Sequence, residues 1–115
     1  MRDLAELKLR IREFVAERDW DRFHSPKNLA MALSVESSEL VELFQWFTEE
    51  ESASLDAGHK RRAADELADV LWFLVRIADR LDIDLLEASE AKIAANATKY
   101  PAARVRGQSL KYDEY

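Results

Sequence analysis

The chain has 115 residues, 48% of them apolar and 35% charged, with a formal charge of −6, two glycines, two prolines and no cysteine. That length suits one domain with a real core, and the scarcity of Gly and Pro points to helices rather than sheet or disorder. The charge argues against non-specific binding to a nucleic-acid backbone or an anionic membrane, and the lack of thiols excludes a disulfide framework, a thiolate metal site and a cysteine nucleophile.

The opening MRDLAELKLRIREF alternates charged and apolar residues and has no unbroken apolar stretch of the signal-peptide kind. No run reaches the roughly 18 apolar residues of a membrane span, so a soluble, cytoplasmic protein is the expectation. Leu4, Leu7, Ile11, Phe14 and Val15 recur at helical spacing and predict a first helix from about Arg2 to Arg18. Asp19 to His24 is aromatic but aperiodic and reads as an ordered loop. Ser25 followed by Pro26 has the form of an N-cap and first-turn proline, so a second helix starts there. Within it Leu29, Leu33, Leu40, Leu43 and Phe47 form an apolar seam in which Glu36 takes the one polar place. Thr48 and Glu51 have capping-box spacing, which predicts a short helix from Glu49 to Leu55, and Asp56-Ala57-Gly58 reads as a break.

A third helix is predicted from about His59 to Leu81 on the seam Ala63, Leu67, Val70, Leu74, Ile77 and Leu81. After Asp69 it is apolar almost all round, more than a chain this small can cover, which predicts a homodimer or a dimer of dimers. Asp84 and Glu87 suit the cap of a fourth helix, Leu85 to about Lys99, which Pro101 ends. The tail from Ala102 to Tyr115 carries Arg104, Arg106 and Lys111 without apolar periodicity and reads as a flexible arm, or as a segment ordered by a ligand or partner. The expected fold is therefore all-α: a single domain over residues 1–115, a four-helix bundle completed by dimerisation.

Two acidic pairs stand out: Glu36-x-x-Glu39 in the second helix and Glu66-x-x-Asp69 in the third. Residues three apart share a helix face, so each pair aims two carboxylates the same way. No Lys or Arg occurs from Asn28 to His59, and only Glu66 has a basic neighbour at helical spacing, Arg62. If the helices pack, each carboxylate pair at ~5 Å costs roughly 3 kcal/mol at an effective dielectric of about 20. The pairs among four such groups then outweigh a typical domain stability of about 5 to 15 kcal/mol. Protonation or basic residues from elsewhere would offset this, as would Mg²⁺, Mn²⁺ or Ca²⁺, the ions that prefer all-oxygen ligands.

Glu36-Ser-Ser-Glu39, a gap of 26 residues, then Glu66-Leu-Ala-Asp69 resembles the E-x-x-E…E-x-x-D signature of the all-α nucleoside triphosphate pyrophosphohydrolases, the MazG-like superfamily. The words Arg18-Asp19-Trp20, Phe23-His24-Ser25-Pro26-Lys27-Asn28-Leu29, Glu39-Leu40-Val41-Glu42-Leu43-Phe44-Gln45-Trp46 and Asp65-Glu66-Leu67-Ala68-Asp69-Val70-Leu71 are most similar to its dCTP pyrophosphatase branch, as are Lys92, Asn96 and Tyr100-Pro101. The resemblance spans roughly residues 5–112. It implies that Glu36, Glu39, Glu66 and Asp69 are at once the metal ligands and the catalytic set. They would hold Mg²⁺, or Mn²⁺, while a nucleoside triphosphate is cleaved between its α and β phosphates to the monophosphate and pyrophosphate, in nucleotide-pool sanitation.

Trp20, Trp46 and Phe73 are candidates for a base pocket, His24 is a further candidate substrate contact, and the resemblance places Lys92 and Asn96 toward phosphate and sugar or base. Flat aromatic faces suit stacking on a nucleobase, while Phe73 and the tryptophans equally suit a core. Phe73 stands where the branch often carries tyrosine, and the missing hydroxyl removes one means of selecting cytosine. Read alone, Lys92 and Asn96 mark an exposed helix face, and His24 caps or packs. Two rival readings remain: a non-enzymatic dimeric helical module with an acidic patch for a basic partner, and a di-iron carboxylate bundle. The second of these lacks the expected Glu-x-x-His pairs.

Overall fold

Asp3 accepts a hydrogen bond from the Glu6 amide at 2.8 Å and starts α1, Leu4–Glu17. In the computed structural model, which describes residues 1–109 and 114, α1 is followed by a 3₁₀ turn, Asp21–Phe23. Then come α2 (Pro26–Phe44), α3 (Glu49–Ser52), α4 (Ala57–Arg80), α5 (Leu85–Lys99) and α6 (Ala102–Val105). The elements among the described residues are all helical, as composition requires. None of these helices is long and apolar enough to cross a membrane.

The boundaries follow the caps. Ser25 Oγ accepts the Asn28 amide at 3.1 Å, with Pro26 in the first turn of α2. The capping box is complete: Thr48 Oγ1 accepts the Glu51 amide at 3.1 Å and Glu51 Oε1 accepts the Thr48 amide at 2.9 Å. The helix it starts, α3, ends at Ser52, short of the expected Leu55.

One expectation is corrected. Asp56-Ala57-Gly58 is not a break: Asp56 Oδ1 accepts the His59 amide at 2.8 Å, so Ala57 and Gly58 form the first turn of α4. First-turn amides need an outside acceptor, and an aspartate supplies one. The start of the tail, read from sequence as a flexible arm or a segment ordered by a ligand or partner, contains a helical turn closed by Val105 N–H on the Pro101 carbonyl at 3.1 Å. Lys111 lies outside the described residues.

Residue contacts divide the chain into two units, Met1–Asp82 and Ile83–Tyr115. In the first, α2 packs on α4 and α1 also packs on α4. The core is Ile11 and Val15 from α1, Leu29 and Leu43 from α2, and Ala63, Val75 and Ala78 from α4. In the second unit α5 begins where Asp84 Oδ1 accepts the Glu87 amide at 3.0 Å, and its residues are exposed apart from the half-buried Leu85.

The apolar seam expected along α4 splits. Ala63 is buried and Val70 and Ile77 are half-buried, but Leu67, Leu74 and Leu81 are 54%, 40% and 49% exposed. One stripe turns to the core, and the other, joined by Leu71, stays open in this chain.

Leu29, 1% exposed, is a sensitive probe of this packing. Leu29→Ala should lower unfolding free energy by about 2 to 5 kcal/mol. Met31→Ala, at a position 60% exposed, should stay within about 0.5 kcal/mol. Chemical denaturation followed by circular dichroism checks both.

Candidate functional site

The packing of α2 on α4 joins the two acidic words. Glu36 and Glu39 rise from adjacent turns of α2 and Glu66 comes from α4, and their carboxylate oxygens lie within 4.8 Å of one another. All three residues are half-buried. Glu36 Oε2 and Glu66 Oε2 are fully shut in, with no hydrogen-bond partner. Asp69, three residues after Glu66, is exposed and outside this close set. Its charge still reaches both buried carboxylates.

The electrostatics follow from this crowding. Glu36 is pushed up to about 7, first by burial, then by the Glu39 carboxyl, and then by the charges of Asp69 and Glu66. Glu66 is raised as well, again by burial first and Glu39 next, with Arg62 opposing. A buried acceptor atom with no donor is unfavourable unless something positive reaches it. Three converging carboxylates with two such oxygens have the chemistry to hold a hard divalent cation.

The aromatic candidates are partly joined. Trp20 meets Phe14 edge-on at 5.7 Å, Phe14 meets Trp72 at 6.4 Å, and Trp72 meets Phe73 at 5.0 Å. His24 packs edge-on against the same Trp72 at 5.9 Å. Trp20, His24 and Phe73 therefore belong to one aromatic chain beside α4, with Phe73 one turn beyond Asp69. Trp46 is separate: it lies just past the end of α2 and is 86% exposed. Lys92 and Asn96 lie one turn apart on α5, in the second unit, and both are exposed.

Arg76 is the residue that periodicity does not single out. It interrupts the apolar run of α4, which is the sequence signal, and it is only 3% exposed. Its Nη2 donates to Asp21, its Nη1 lies 3.6 Å from Asp79 Oδ2, and its Nε donates to His24 Nδ1 at 3.2 Å. Arg80 donates to Asp21 at 3.1 Å, and Arg12 of α1 donates Nε to Asp79 Oδ2 at 2.7 Å. The hydrogen bond from Arg12 chiefly holds Asp79 below the usual carboxylate range, against the opposing effect of burial. The 3₁₀ turn is thus tied to α4 by charge as well as by ring contact.

A model of the MazG-like family matches residues 31–114. The chain is 47% identical over 104 residues to dCTP pyrophosphatase 1 of Homo sapiens and 44% identical to that of Bos taurus, in each case over 89% of this chain. It spans 61% and 62% of the length of these two relatives. The crystal structure of a pyrophosphatase from Archaeoglobus fulgidus superposes with a TM-score of 0.80 at 39% identity, covering 84% of this chain and 91% of that one. Family model and solved fold agree across most of both molecules, and the chain belongs to the MazG-like family.

Proposed function

We propose that this chain is a divalent-metal nucleoside triphosphate pyrophosphohydrolase that takes dCTP or its modified forms. It breaks the bond between the α and β phosphates and releases a nucleoside monophosphate and pyrophosphate. The carrying observation is the pair of shut-in, unpartnered oxygens on Glu36 and Glu66 within a three-carboxylate cluster. The names of the relatives, dCTP pyrophosphatase 1 and a pyrophosphatase, support the substrate class.

In this reading Glu36, Glu39 and Glu66, with Asp69 completing the set, hold Mg²⁺ or Mn²⁺. When bound, the ion supplies charge neutralisation for a polyphosphate and Lewis acidity toward the attacking water. The remaining chemistry belongs to side chains. A carboxylate oxygen not engaged by metal takes the proton of the attacking water. Trp20, His24 and Phe73 receive the base, and Trp46 offers a second flat face. The assignment of Lys92 and Asn96 to phosphate and to sugar or base rests on motif alone. The open stripe of Leu67, Leu71, Leu74 and Leu81 fits the homodimer expected from the sequence.

Incubation with each dNTP and Mg²⁺ should release pyrophosphate without orthophosphate, fastest from a deoxycytidine nucleotide; orthophosphate without pyrophosphate refutes the proposed bond. Glu39→Gln should cut turnover by at least about a hundredfold with unchanged far-ultraviolet circular dichroism, and survival of turnover removes the metal assignment.

Protons and metal compete for the same oxygens. Glu36 binds its proton more tightly folded than unfolded, so in metal-free protein this contribution is full below about 4.5 and is lost as pH rises through about 7. Mg²⁺ should therefore raise Tm more at pH 8 than at pH 6; thermal melts with and without Mg²⁺ check this, and an equal or absent shift speaks against the site.

Leu74→Lys, at a position 40% exposed on the open stripe, should convert a dimer to a monomer in sedimentation equilibrium.

A further inference from the structure

We propose that Arg76 is a positioning residue: its Nε–H holds His24 in the Nε2–H tautomer, so that His24 presents one uncharged hydrogen-bond donor to the nucleoside end of the substrate. The inference rests on the pyrophosphohydrolase reading for what the donor meets, but not for how the ring is held.

A guanidinium is always protonated and has no acceptor atom. The 3.2 Å contact between Arg76 Nε and His24 Nδ1 therefore has only one direction: Nδ1 accepts. A neutral imidazole accepting at Nδ1 must carry its proton on Nε2. Arg76 cannot turn away easily. Its side chain is 4% exposed, and its other two nitrogens engage Asp21 and Asp79, themselves bound by Arg80 and Arg12. The alternatives are closed: the neutral Nδ1–H tautomer would set one N–H against another, and the imidazolium would in addition set a second positive charge against the guanidinium. Burial first, and then the Arg76 charge, lower the proton affinity of His24.

The free end of the ring is left for a ligand. Among the described residues Nε2 has no hydrogen-bond partner, and it is not among the shut-in polar atoms. His24 lies against Trp72, three residues beyond Asp69, while Arg76 lies seven beyond it, about 10 Å along the axis. In the pyrophosphohydrolase reading, where Trp20, His24 and Phe73 line the base side, this donor meets the nucleoside end of the substrate. A fixed Nε2–H recognises an acceptor such as a ring carbonyl, and His24 takes no part in proton transfer.

The test uses the full chain labelled with ¹⁵N, with His24→Gln to separate the His24 signals from those of His59. Two-bond ¹H–¹⁵N correlations at neutral pH should show a protonated Nε2 and a bare Nδ1 in the unaltered protein, and mixed tautomers in Arg76→Lys. Arg76→Lys should raise KM about tenfold, the worth of one hydrogen bond, with kcat nearly unchanged. Adding Arg76→Lys to His24→Gln should change KM little further, since the glutamine amide donor has no tautomer to control. A protonated Nδ1 or an imidazolium in the unaltered protein overturns the proposal, as does Arg76→Lys with unaltered KM. If Arg76→Lys does not fold, the spectrum of the unaltered protein and the KM of Arg76→Gln decide. The spectrum needs no substrate: a chain that cleaves no nucleoside triphosphate refutes the pyrophosphohydrolase reading, whereas cleavage with a protonated Nδ1 refutes only the role of Arg76.

Discussion

Carboxylates pressed together between two apolar helices are the constraint on which the rest of this molecule depends. Glu36, Glu39 and Glu66 converge to within 4.8 Å where α2 packs on α4. Hydrophobic burial along Leu29, Leu43 and Ala63 draws the helices together, and the acids ride on that contact against their mutual repulsion. Burial first, and the acidic neighbours after it, push Glu36 up to about 7.

The same helix carries the opposite arrangement two turns further on. From Arg76 to Arg80 the charges alternate in sign and are matched across elements: Arg76 and Arg80 with Asp21, and Asp79 with Arg12. Arg76 and Asp79 are the buried members of this set, and removing the partner of either leaves an uncompensated charge. This ladder holds α1 and the 3₁₀ turn on α4. Through the turn it also sets the place of His24 beside Trp72. One end of α4 is thus unbalanced and suited to a ligand, and the other is balanced and suited to holding a loop still.

Much of the fold was legible because helix ends announce themselves locally. Ser25-Pro26, Thr48 with Glu51, and Asp84 act within three residues, so their readings needed no knowledge of the packing. Asp56 departs from its local composition for the same reason: next to Gly58 it has the look of a break, and only the following turn shows it to be a cap. The α4 seam failed on a longer scale. Leu67, Leu74 and Leu81 match the period, but a period gives a stripe and not its orientation, and in this chain theirs faces outward.

The sequence by itself determined the helices, their caps, and the fact that two acidic words sit in apolar surroundings without local cations, since these depend on neighbours within about a turn. Only the tertiary structure decided that Glu36, Glu39 and Glu66 close into one set while Asp69 stays exposed at its edge. It alone also brought Arg76 to His24 and Asp21 across 52 and 55 residues of chain. The physical reason is distance along the chain: spacing fixes which face a side chain shares with its helical neighbours, while the partner it meets is chosen by how whole helices pack.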